Sequence, residues 1–116
     1  MNITKQLLLK SGVSSSELEQ LLNARAKKDI DFLLIDVREE SEYISAHIAG
    51  VDMLMPISST QSWMGDFLSK NSDKNIVFTC RSGNRSGQIS SKFRALGVNA
   101  INHLGGIITY KGKIAK

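Results

Sequence analysis

Residues 76–93, IVFTCRSGNRSGQISSKF, hold the only cysteine in the 116-residue chain. An apolar run climbs to Cys80 and stops, and Arg81, Ser82, Gly83, Asn84, Arg85 and Ser86 follow before a helical pattern begins. That order of residue types suits an anion cradle. A loop between a strand end and a helix start can turn successive backbone N–H groups inward, and the helix dipole adds roughly half a positive charge at its N-terminus. Gly83 permits backbone angles that side chains forbid, Asn84 tolerates the left-handed region, and Ser82 or Ser86 suits a helix cap. Arg81 and Arg85 would sit on the rim. Helix N-termini and adjacent cations lower a cysteine's pKa, so the pattern predicts that Cys80 is largely thiolate at neutral pH. The plainer alternatives are an inert thiol closing a core strand, and a phosphate- or sulfate-binding loop in which the thiol is incidental.

The elements that must position this loop are legible from pattern. SGVSSSELEQLLNARAKK offers two capping boxes, Ser14 with Glu17 or Ser16 with Glu19, ahead of Leu18, Leu21 and Leu22 at helical spacing. FLLIDV, residues 32–37, reads as a strand buried on both faces and ends in the charged cluster Asp36-Val37-Arg38-Glu39. SEYISAHIAG predicts a short helix or turn stopped at Gly50, and VDMLMPI another strand closed by the single proline. TQSWMGDFLSKNSDK carries Trp63, Phe67 and Leu68 at helical spacing, as core. NIVFTC is a strand, and SGQISSKFRALG a helix with Ile89, Phe93 and Leu96 inward and Gly97 as its stop. VNAINHLGG is a last strand running into a glycine turn. Strands alternating with helices imply an α/β fold with a central parallel sheet flanked by helices on both faces, where sites gather at the strands' carboxyl ends.

Composition sets bounds. The length fits one domain, residues 1–116, able to bury a core unaided. Apolar residues at 41% and charged residues at 22% are ordinary for a globular chain. One cysteine excludes an internal disulfide, and nothing calls for a metal. No segment approaches the roughly 20 apolar residues that span a bilayer, and the N-terminal leucines are too few for a signal core, so the cytoplasm is expected. The net charge of +4, from 15 basic and 11 acidic residues, favours anionic small molecules or acidic surfaces, not nucleic acid or membrane.

At this point the chain resembles the rhodanese (sulfurtransferase) family, specifically its single-domain members, over about residues 14–110. Cys80, Gly83, Arg85 and Ser86 fit the family's active-site loop. LLIDVREESEYISAHIAGVDMLMPI fits its upstream signature, and INHLGGI its leucine-glycine-glycine ending. Ala46, Ala49, Asp52 and Tyr110 depart from the usual residues at positions that look structural. The resemblance implies a sulfurtransferase of the thiosulfate type. Cys80 would take the sulfane sulfur of thiosulfate or a similar small anionic donor as a persulfide, without a cofactor. A thiol, cyanide or a protein would then accept it. Arg81 to Ser86 would bind the donor, and Asp36, Arg38 and Glu42 would support the loop. A base role for His47, or a ligand role for His103, is not required. Two other readings stay in view: a persulfide carrier or regulatory binding module, and a cysteine phosphatase. In the phosphatase pattern five residues separate cysteine from arginine; here four do.

Overall fold

In a computed structural model, which describes residues 3–116, the chain is an α/β layer structure. A five-stranded sheet is wholly parallel, in the order β1 (Gly12–Val13), β6 (Ala100–His103), β5 (Ile76–Thr79), β2 (Leu33–Asp36) and β4 (Met53–Leu54). A small antiparallel pair, β3 (His47–Ile48) with β7 (Ile114–Ala115), lies apart from it. The helices are α1 (Ile3–Leu7), α2 (Ser15–Ala26), α3 (Glu40–Ser45), α4 (Thr60–Asn71) and α5 (Asn84–Ala95).

Alternation along the strands sorts the core into two faces. Leu34, Val77 and Ile101 pack with Leu7 of α1 and with Leu18, Leu21 and Ala24 of α2. Ile35, Phe78 and Ala100 point the other way, onto Phe67 of α4 and onto Ile89 and Phe93 of α5. This is the burial on both faces that FLLIDV predicts, and NIVFTC, read as a strand, shares it. Each wholly buried side chain of this size contributes about 1.5–3 kcal/mol of transfer free energy. Trp63 and Leu68 are half-buried against the second face, and the Trp63 indole N–H donates to the Pro56 carbonyl at 2.9 Å.

Local chemistry sets the boundaries. Ser14 caps α2 with the reciprocal box: its hydroxyl accepts from the Glu17 amide at 3.1 Å, and Glu17 accepts from the Ser14 amide at 2.9 Å. The alternative Ser16–Glu19 box does not form. Helix α3 ends at Ala46 rather than at Gly50, because Ala46 is extended and His47 and Ile48 are taken up by pairing with β7. The strand expected over VDMLMPI shrinks to Met53–Leu54, at the sheet edge. Leu96 does not face inward. It is 57% exposed at the C-cap, one residue beyond the last turn of α5, and Gly97 then reverses the chain with φ +87.

His103 is wholly buried at the end of β6. Its Nδ1 lies 2.8 Å from the Thr79 hydroxyl and its Nε2 lies 2.7 Å from the Ser15 hydroxyl, so one neutral ring bridges β6, β5 and α2. Burial pushes its pKa down to about 4 from the ordinary 6.5. The unfolded ring therefore takes up a proton before the folded one does. Stability from this site is complete above pH 6.5 and is lost as pH falls toward 4, by about 3 kcal/mol. Denaturant titrations across that window should show this loss, and His103→Gln should flatten the dependence. An equal slope in both proteins would mean that other groups carry it.

Candidate active site

The sheet register brings two charged junctions together. Asp36 of β2 sits opposite Thr79 of β5, so the segments after each strand leave the same carboxyl edge side by side. From β5 the chain enters the Cys80 loop, and from β2 it enters Val37 and Arg38.

Cys80 is 1% exposed and packs with Ile35, Val37 and Ile89 at the upper end of the second core face. It is thus a buried thiol, not a surface-loop one. Its sulfur is nevertheless ringed by donors. The Gly83 amide approaches Sγ at 3.1 Å, the Ser86 amide at 3.4 Å and the Ser86 hydroxyl at 3.3 Å. Burial alone pushes the thiol's pKa up. The Ser86 hydroxyl and the amides of Ser86, Gly83 and Ser82 together outweigh it, leaving the value below the ordinary one. The donors closing on the sulfur, more than the arginines the sequence emphasises, carry this shift.

Gly83 makes the curl possible. It stands at the N-cap of α5 with φ +98, and a Cβ there would collide with the Leu104 carbonyl. Gly106, with φ +67, likewise lets the turn after β6 press against the backbone of Arg81 and Ser82. Asn84, expected to tolerate the left-handed region, instead opens α5 as an ordinary helical residue. Neither Ser82 nor Ser86 caps the helix. The Ser86 hydroxyl lies 2.6 Å from Asn102 Oδ1 as well as beside Sγ. Its single proton serves one acceptor at a time, and an ionised sulfur is the stronger. Asn102 also donates from Nδ2 to the Gly83 carbonyl at 3.2 Å, pinning the loop from β6. Sequence reading missed Asn102, whose only signal was a polar residue inside a strand one position before His103.

The supporting residues fall into two ion pairs. Asp36 and Arg38 are both buried, and Arg38 Nε and Nη2 grip the Asp36 carboxylate at 2.8–3.0 Å. Nη2 also donates to the Ala46 carbonyl at 2.7 Å, fastening the end of α3 to β2. These two residues pair with each other and not with the cationic loop. Glu42 of α3 is the one that does so. It binds Arg85 through both carboxylate oxygens at 2.8 and 2.9 Å, and it also accepts from the Glu39 amide at 3.0 Å. The Arg85 hydrogen bonds hold the Glu42 carboxyl down at about 2. Arg81 is exposed, and its side chain makes no ion pair among the described residues. Ser82 and Asn84 are exposed at the crown of the loop.

An open depression of about 430 Å³ adjoins the loop, walled by Arg38, Glu42, Ala46, Arg81, Ile107 and Ile108. The Ile107 and Ile108 amides donate hydrogen bonds to the carbonyls of Cys80 at 2.9 Å and Arg81 at 3.2 Å. His47 is occupied elsewhere, stacked on Tyr43 at 3.9 Å with Nδ1 3.0 Å from the Tyr43 carbonyl. Among the described residues no three of His, Cys, Asp and Glu gather as a metal site. No described helix is long and apolar enough to cross a membrane.

A parallel sheet with a cysteine nest at its carboxyl edge defines a class, and comparison places the chain in it. The Rhodanese-like domain model matches residues 15–113, and the chain belongs to that family. It is 30% identical over 105 residues to the putative sulfurtransferase YtwF of Bacillus subtilis, covering 87% of this chain and 90% of that one. It is 36% identical over 80 residues to the uncharacterized protein slr1261 of Synechocystis, covering 68% of this chain but 42% of that protein's length. Among solved structures, the human single-domain sulfurtransferase TSTD1 superposes with a TM-score of 0.65 at 27% identity, covering 85% of this chain and 93% of that one. A rhodanese-like domain protein from Staphylococcus aureus gives 0.70 at 21% identity, covering 90% and 94%.

The donor ring makes a direct prediction. Alkylation of Cys80 by iodoacetamide should follow a pH profile with its midpoint below the model-thiol value of about 8.5, and Ser86→Ala should raise that midpoint. A wild-type midpoint at or above the model value would show that burial wins.

Proposed function

We propose that the protein is a sulfurtransferase that carries sulfane sulfur as a persulfide on Cys80. The observation that carries this reading is the closure of the Gly83 and Ser86 amides and the Ser86 hydroxyl on Sγ. Such a ring stabilises a negative sulfur without a general base, as an oxyanion hole does an oxygen.

In the proposed cycle the Cys80 thiolate attacks the outer sulfur of thiosulfate or a similar donor. The sulfur–sulfur bond breaks, its electron pair leaves on sulfite or the corresponding group, and Cys80 holds the transferred sulfur as a persulfide. A thiol, cyanide or protein nucleophile then takes the terminal sulfur and returns the thiolate, a ping-pong sequence with no cofactor. The amides of Asn84 and Arg85, in the first turn of α5, donate to no acceptor among the described residues. They are free to bind the outer sulfur or the departing anion. The names of the Bacillus and human relatives, both called sulfurtransferases, support sulfur transfer as the class of reaction.

A phosphoryl substrate suits the site less well. Arg85 follows Cys80 after four residues, and its guanidinium is committed to Glu42 through both nitrogens. A relay to a partner protein uses the same persulfide. It differs from turnover only in the acceptor, and parallel assays with cyanide and with protein thiols separate the two.

Mass spectrometry after exposure to a sulfane donor should find one added sulfur on Cys80, removed by cyanide. Cys80→Ala should take up none, while keeping the fold at a cost of about 1 kcal/mol for its lost packing. Failure of every donor to load Cys80 would remove the proposal.

A further inference from the structure

The hydroxyl of Ser86 stands between two acceptors with one proton to give. Ser86 is wholly buried, so bulk water offers it no third partner. Asn102 Oδ1 lies 2.6 Å away and Cys80 Sγ 3.3 Å away. The shorter contact has only one possible donor, since a carboxamide oxygen carries no proton. Which acceptor takes the proton then depends on the sulfur. A neutral thiol is a weak acceptor and loses to the carboxamide, whereas a thiolate is a charged one and wins.

Asn102 is built into its position. Parallel pairing sets it opposite Phe78 of β5 and Gly12 of β1, and its backbone amide donates to the Ser11 carbonyl at 2.9 Å. Its side chain leaves β6 toward α5, where Gly87 lacks the Cβ that would stand 3.2 Å from Nδ2. Nδ2 donates to the Gly83 carbonyl at 3.2 Å, and that bond decides which end of the carboxamide faces Ser86. The charges around the sulfur come from other elements. Arg85 of α5 lies within electrostatic reach of Cys80 and is held by Glu42 of α3. Asp36 and Arg38, after β2, close on each other, and Arg81 of the loop is exposed. His103, next along β6, is bonded to Thr79 and Ser15 instead. A substitution at position 102 removes none of these groups.

We infer that Asn102 is a positioning residue for Cys80: it holds the Ser86 proton while Sγ is uncharged and yields it when Sγ becomes a thiolate. The inference rests on Cys80 as the reactive sulfur of the proposed function, whatever the donor. Ionisation then has two linked parts. The Sγ proton leaves to solvent, and the Ser86 hydroxyl rotates from Oδ1 to Sγ. The bond lost at Oδ1 opposes ionisation and the bond gained at Sγ favours it, so Asn102 and Ser86 act on the thiol with opposite signs. In the proposed cycle the hydroxyl would return to Asn102 once Cys80 is loaded and charge has left Sγ. It would swing back as an acceptor takes the outer sulfur.

The test is a pH titration of the thiolate's ultraviolet absorbance, read as the difference from Cys80→Ala. Asn102→Leu keeps the shape but removes the acceptor, so its midpoint should lie below that of wild type. Asn102→Asp keeps an acceptor and strengthens it, so its midpoint should lie above. Both variants lose the Nδ2 bond to Gly83. A residue that only pinned the loop would move both midpoints the same way, and an Asn102→Leu midpoint at or above wild type would overturn the inference. The Asp carboxylate also repels a thiolate directly, so the deciding cycle uses Leu. In a Ser86→Ala background, Asn102→Leu should leave the midpoint where Ser86→Ala alone puts it. An equal lowering there would show that Asn102 acts without Ser86, and would overturn the inference as well. Circular dichroism checks that each variant folds, and Asn102→Ala should shift in the direction of Asn102→Leu where the larger side chain is not tolerated. Sulfur loading of the same proteins, followed by mass spectrometry, is a separate readout. A failed titration with loading intact leaves sulfur transfer standing, and failed loading leaves the titration result in place.

Discussion

A sulfur atom placed almost wholly out of water can hold a negative charge only if the protein replaces the hydration it has lost. Cys80 is nearly inaccessible, and desolvation is the largest single influence on its titration. Everything else about the site answers that cost. Two amides and a hydroxyl converge on one atom, and they converge because the chain passes through a left-handed glycine into a helix at that point. Replacing Gly83 by any L-residue would bring a Cβ against the Leu104 carbonyl while straining its backbone, and the ring of donors would open.

The remaining scaffold keeps that loop from relaxing. From below, parallel pairing of β5 with β2 and β6 sets the height at which Cys80 leaves the sheet. From the side, Asn102 and the turn at Gly106 hold the loop backbone. From above, α3 acts as a strut: Arg38 anchors its end at Ala46, and Glu42 holds Arg85 from its middle. The two ion pairs differ in kind. Asp36–Arg38 is buried, so its net contribution to stability is small against the desolvation of both charges, while loss of either partner would strand the other. Its value lies in direction, since a planar guanidinium that satisfies a carboxylate and a carbonyl together permits one placement of α3. Glu42–Arg85 is partly exposed, and what it contributes is chiefly a neutralised arginine at the mouth.

Much of this was legible in the chain. Short apolar runs at Leu33–Asp36 and Ile76–Thr79 read as buried strands because both faces are covered, and Ser14 with Glu17 announced the start of α2 through a reciprocal side-chain pattern. Other parts depend on tertiary placement and left no local mark. The edge strand Gly12–Val13 is two residues long and exists only because β6 offers a partner. Leu96 has the spacing of an inward residue, but the helix ends one position too early to aim it there. Asp36, Arg38 and Glu42 form one charged cluster in sequence, and nothing in their spacing says that two pair together while the third reaches across to Arg85. Asn102 and His103 are ordinary polar letters until the register sets them beside the Cys80 loop and Thr79.

Burial of the sulfur and its proposed transfer to an acceptor pull in opposite directions, and the geometry of a persulfide would resolve the tension. The reactive atom of the loaded form would be the outer sulfur, about 2.05 Å beyond Sγ. The donors close on Sγ itself at 3.1–3.4 Å, so that atom would lie beyond the one they contact. Sγ could then stay where donors lower its charge's cost, while the group to be handed on would be the atom beyond it. The same separation explains how one loop could serve both halves of the cycle. In the proposed cycle the ring would act on a thiolate when Cys80 attacks a donor, and on the sulfur that must leave as a thiolate when an acceptor attacks. Charge would leave Sγ in the first step and return to it in the second, and the same three donors would face it at both ends, so the loop needs no rearrangement between them.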